Sequence, residues 1–234
     1  MEEEATAEQL AAVNARLEMD VVPYADFAIF RPYGCRLLRN LRFVSQVFDP
    51  ATGTYSKREL PGPPTIVEWR RSYKVWRYAM MVLGAASAPV LDRYAERVER
   101  VYRDWGVMGG EDLWWVTLLA DVKMRGEGFE QVRRALETKR AELKRMGRVE
   151  EAALDPAKPW EAVIYHAASD QAWWDKEIQQ TGILYKASLK PKGAFTDEGH
   201  HVALGRSSLL LSLGSGAAPE WPKGPSPGGW VGVG

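Results

Sequence analysis

Between Ile66 and Leu83, six apolar residues (Ile66, Trp69, Tyr73, Trp76, Met80 and Leu83) recur at intervals of three and four. That repeat returns to one side of a helix at every turn, so it predicts a stripe about five turns long facing other apolar surface. Two of the six are tryptophans, and the chain holds 10 in 234 residues. An indole buries roughly 150–250 Å², worth a gross ~5 kcal/mol of apolar burial, so these residues must meet in a shared interior.

The rest of the chain reads as more of the same class. Thr6 with Gln9 is a capping-box pattern opening a helix over 6–19, and Thr65 with Glu68 is a second one opening the tryptophan-bearing helix, which should run to about Gly84. Ser87 and Pro89 start a helix whose stripe is Leu91, Tyr94, Val98, Val101 and Trp105. From Leu113 to Ala120 the chain is apolar on nearly every side, as expected of a central helix. Gly126 and Gly128 should weaken or bend it before Phe129, Val132, Leu136, Leu143 and Met146 continue on one face. Two short helices follow around Trp160–Ala167 and Trp173–Ile178. The strand signal is confined to residues 42–60, where β-branched and aromatic residues flank Asp49-Pro-Ala-Thr-Gly53 in a hairpin pattern.

These elements predict an all-α domain over 1–186, with about six helices and one small β-hairpin near 42–60. Residues 187–234 are rich in Gly, Ser and Pro and carry no amphipathic stripe. Such a composition cannot offset the entropy of ordering, so a disordered tail is expected there.

Charge is balanced overall at a formal +0 but unevenly placed. Residues 1–29 carry seven acids against Arg16, and residues 30–80 carry ten bases against three acids. The acidic start is expected to lie against the basic block. Within that block Arg70, Lys74 and Arg77 follow i, i+4, i+7 on one helix face, and Arg36, Arg39 and Arg42 form a second cluster. Cations on one surface beside aromatics suit phosphates and stacked bases, so these six are the candidate nucleic-acid contacts. The bland reading is a solvated face with arginines lying over indole rings.

No phosphate-binding glycine loop, nucleophile elbow, zinc-protease helix or paired Cys-x-x-Cys is present, so no enzyme and no cofactor is expected. Cys35 is the lone cysteine, flanked by Arg31 and Arg36, and reads as a buried inert thiol in a reducing, intracellular compartment (cytoplasmic or nuclear). His200 and His201 are adjacent but lack further ligands, so no metal is expected; His166 sits one turn before Asp170, a general base oriented by a carboxylate in the third and last-ranked reading, an unrecognised enzyme. The start Met-Glu-Glu-Glu is the wrong charge for a secretory or transit peptide, and no apolar run approaches the ~20 residues of a membrane helix.

Several segments form an ordered set: Phe30-Arg-Pro-Tyr33, Leu60-Pro-Gly-Pro-Pro64, Trp69 with Arg77, Asp121-Val-Lys-Met-Arg125, Pro159-Trp160 and Trp173-Trp-Asp-Lys-Glu177. Over about residues 27–185 the set resembles a family of uncharacterised proteins from large-genome protists, associated with retroelement-like reading frames. The resemblance implies a helical region acting as a Gag-like structural domain and supplies no catalytic residue. Longer members would carry Cys/His-rich segments downstream, and no cysteine follows Cys35 here. The expected function is therefore a non-enzymatic interaction or scaffold domain with a protein partner or self-association. Nucleic-acid binding through 30–80 is the second reading, and neither membrane nor small-molecule binding is expected.

Overall fold

The computed structural model describes residues 4–32, 40–49, 51–105, 107–108, 111–150 and 157–189. The expected tail falls outside the described residues from 190 onward, as do Cys35, Arg36, Arg39, His200 and His201.

Helix α1 spans Ala7–Glu18 and opens with the complete capping box, Thr6 and Gln9 each accepting the other's backbone N–H. Helix α2 spans Ile66–Val82; Thr65 caps it by accepting from the Glu68 N–H at 3.3 Å, while the Glu68 carboxylate turns instead to Arg71. It closes at Gly84, whose φ of +70° lets the chain leave in the left-handed region. Helix α3 spans Ala88–Trp105. Ser87 does not cap it as expected: its hydroxyl and N–H both donate to the Glu161 carboxylate, tying α3 to a helix far along the chain.

Helix α4 (Trp114–Lys123) passes through a π-helical turn at Met124–Gly128 into α5 (Phe129–Arg145), one continuous rod with the two glycines in its wider turn. Helices α6 (Glu161–Ser169) and α7 (Gln171–Leu189) follow, α7 running longer than its sequence pattern suggests. With the rod counted once, six helices are described. Strands β1 (Arg42–Asp49) and β2 (Thr54–Pro61) pair antiparallel in the register Asp49↔Thr54 to Arg42↔Pro61. A second, two-residue pair not expected from sequence, β3 (Val107–Met108) with β4 (Glu111–Asp112), joins α3 to α4.

The α2 stripe is the core. Trp69, Trp76, Met80, Leu91, Tyr94 and Val98 are fully buried, and Ile66 and Leu83 pack at its ends. Trp69 stacks on Tyr73 at 4.9 Å, Tyr73 on Tyr94 at 6.1 Å, and Trp174 meets Tyr94 edge-on. Four buried indole N–H groups find a partner: Asp121, or the carbonyls of Pro23, Pro63 and Ala167. Each bond removes the penalty of a dry, unmade donor.

Those donors also pin the segment after α1. The carbonyls of Pro23, Ala25 and Phe27 accept from Trp76, Arg125 and Ser72, and the Arg31 carbonyl accepts from Gln9. The chain from 20 to 31 is thus a belt held by side chains rather than by a helix ladder. Tyr55 fastens the hairpin: its ring packs on Trp115 and Tyr185, and its hydroxyl donates to the Thr181 carbonyl at 3.2 Å.

One expectation needs correction. The apolar face read along α5 reaches the core only at Phe129, with Val132 and Leu136 half-buried and Met146 63% exposed, because the rod runs past the interior. Of the acids at the start of the chain, Asp20 reaches Arg133 on α5 at 3.0 Å and Glu18 accepts from Asn14 within α1.

Candidate functional site

Helices α2 and α3 pack side by side in opposite directions, and their outer edges leave a groove of about 550 Å³. Two ion pairs span it. Arg70 Nε donates to Glu99 Oε1 at 2.5 Å, and Arg77 donates through Nε and Nη2 to both oxygens of Asp92 at 2.7 and 3.0 Å. Arg70 and Arg77 lie seven residues apart, about 10 Å along the helix, so the pairs close the two ends of a single stretch. The Glu99 hydrogen bond holds the Arg70 guanidinium above its ordinary pKa, against the smaller opposing effect of burial.

Lys74 lies between the two bridges. It is exposed, and no ion pair joins it among the described residues. Ala95 lines the α3 side of the same groove, and a methyl group cannot fill the space a longer side chain would take. The floor is aromatic, from Trp69 and Tyr73, and Met81 and Val82 leave the far end apolar at 39% and 55% exposure. Lys74 thus stands between neutralised neighbours in a groove that Trp69 and Tyr73 help to line.

Of the six cations singled out in the sequence, Arg36 and Arg39 lie outside the described residues. Arg42 pairs with Glu59 across the hairpin at 3.4 Å, away from the groove. Of the four described, Arg70, Lys74 and Arg77 come together, and two of those are already paired with acids. His166 is exposed with its ring edge-on to Tyr165, while the Asp170 carboxylate accepts the Trp173 N–H at 3.0 Å as the start of α7. No hydrogen bond joins His166 to Asp170 side chain to side chain among the described residues. There, too, no group of three or more His, Cys, Asp or Glu is placed to hold a metal ion, and no helix is long and apolar enough to cross a membrane.

The sequence reading missed a buried charged centre. Asp121 and Arg125 are 0% and 1% exposed and meet at 2.8 Å. The Asp121 carboxylate also accepts from the Trp69 indole at 2.9 Å and the Tyr94 hydroxyl at 3.0 Å. Arg125 donates to the Ala25 carbonyl at 2.7 Å and lies 3.7 Å over the Phe27 ring. Burial alone would lower the Arg125 pKa, but the Asp121 charge and hydrogen bonds raise it above the ordinary value. All three guanidinium nitrogens donate within the fold, so this centre locks the belt to the rod. The available signal was an i, i+4 pair of opposite charges inside an otherwise apolar run. Set against models of protein families, curated proteins and solved structures, the chain matches none of them.

Proposed function

We propose that this is a non-enzymatic interaction or scaffold domain, of the Gag-like structural kind the resemblance implies, and that the α2–α3 groove receives an amphipathic helix from a protein partner. Lys74 carries the reading: an unpaired ammonium in a groove that Trp69 and Tyr73 help to line selects an apolar face with one central carboxylate. Two-fold self-pairing through the same groove would set Lys74 near its own copy, a like-charge contact, so a different partner surface fits better. The nucleic-acid reading has less support, since Glu99 and Asp92 already neutralise Arg70 and Arg77.

The test uses the full chain and a fluorescent amphipathic peptide of roughly 18 residues, five turns, with leucines and one central glutamate on the same face. Saturable binding is expected, weakened about tenfold by Lys74→Glu and abolished by Ala95→Trp, with circular dichroism confirming that both variants fold. Binding that ignores both substitutions, or no binding at millimolar peptide, refutes the groove. A concentration-dependent dimer in sedimentation that Ala95→Trp dissolves would replace the partner with a second copy.

A further inference from the structure

The neighbouring face of α3 carries a second cationic row that the sequence reading passed over. Arg93, Arg97 and Arg100 follow i, i+4, i+7 and line a polar cleft of about 400 Å³ with Glu96, Ala168 and Ser169. Elsewhere Arg70, Arg71 and Arg77 of α2 and Arg133 and Arg134 of α5 each lie within 4.0 Å of a carboxylate. No such pair joins Arg93, Arg97 or Arg100 among the described residues.

Two of the three are held in place by neutral groups. Arg97 donates from Nε to the Ala168 carbonyl at 2.6 Å, at the end of α6, and from Nη1 to the Gln171 side chain. Arg93 rests 4.8 Å over the Tyr165 ring. Asp104, Asp170 and Asp175 act on Arg97 by charge alone, without a direct contact: Asp170 accepts the Trp173 N–H, and Asp175 accepts the Gln171 amide at 2.6 Å. Burial lowers the Arg97 pKa below its ordinary value and the Arg100 charge lowers it further, while the charges of Asp175, Asp104 and Asp170 offset part of the effect.

We propose that this cleft binds a phosphate monoester group, with Arg93, Arg97 and Arg100 as its ligands. Three guanidiniums line the cleft beside Glu96, and a phosphate monoester, with roughly twice the charge of a backbone diester, gains more from them. Guanidinium forks suit phosphate oxygens, and prior anchoring of Arg93 and Arg97 reduces the ordering needed on binding. The site lies on a different face from the α2–α3 groove, and its test does not depend on that groove.

The full chain is titrated with inorganic phosphate, with phosphoserine and with a single-stranded RNA oligomer lacking terminal phosphates, following the arginine Nε–Hε signals by NMR. Phosphate and phosphoserine are expected to saturate and move the Arg93, Arg97 and Arg100 signals, with the RNA at least tenfold weaker. Tighter binding of phosphoserine than of inorganic phosphate would assign the source to a modified side chain, and the reverse order to the free ion. Arg100 makes no hydrogen bond among the described residues, so Arg100→Gln should keep the structure and weaken binding about tenfold, whereas Glu96→Gln should tighten it. Equal binding of the RNA, absence of saturation, or affinity unmoved by Arg100→Gln overturns the proposal.

Discussion

Asp121 and Arg125 show how a single pair governs more chain than its own neighbourhood. The carboxylate gathers Trp69 from α2, Tyr94 from α3 and Arg125 from the π turn, and Arg125 then reaches the belt at Ala25. Arg125→Met removes the countercharge and leaves an ionised or reluctantly neutral carboxyl in the dry interior. The expected loss is about 3–5 kcal/mol in urea unfolding, against a smaller loss for the apolar double variant Asp121→Leu/Arg125→Met than for the two single changes summed. Strict additivity would show that the two side chains do not act as a unit. At this scale the sequence was informative about Lys74 and silent about its surroundings. The i, i+4, i+7 spacing places Arg70, Lys74 and Arg77 together, but only the α2–α3 register decides that Glu99 and Asp92 fall opposite two of them.

The α4–α5 rod is the element whose sequence most clearly announces a disturbance. Gly126 and Gly128 were read as a weakness or a bend, and the structure resolves that into a π turn with helices continuing on both sides. The two glycines have different reasons to be there. A Cβ at Gly126 meets nothing within 4 Å, whereas one at Gly128 falls 2.5 Å from the sulfur of the buried Met124. Gly126→Ala should therefore stabilise by about 0.5–1 kcal/mol through the lost freedom of the unfolded chain. Gly128→Ala should destabilise by about 1–3 kcal/mol through overpacking. Thermal melts of the two variants are expected to shift in opposite directions; shifts of the same sign would mean that the backbone of the π turn, and not Met124, sets the requirement.

Across the whole molecule, the stacked phenols of Tyr73 and Tyr94 link stability to alkaline pH. Burial raises both well above the ordinary 10.0, and the Asp121 charge adds to the effect. In the unfolded chain these groups lose their protons near pH 10, while the folded chain still holds them. Between those values the native state binds more protons, so stability is complete below pH 10 and falls as pH rises towards the folded pKa values. Tyrosinate absorbance should rise in two stages, exposed phenols first and the buried pair only together with loss of the helical circular dichroism signal. Full ionisation with the helices intact would contradict this packing.

Local order was written in the sequence because it depends on residues three or four positions apart. The capping box of α1, the stripes of α2 and α3, the Asp49 turn and the helical class all follow from such short spacings. Contacts between residues distant in the chain have no such signature. Tertiary structure alone decided that Glu161 would take Ser87, that Asp20 would find Arg133, and that the apolar face of α5 would run past the core. Electrostatic partners are chosen by proximity in space, and the packing of apolar stripes determines that proximity.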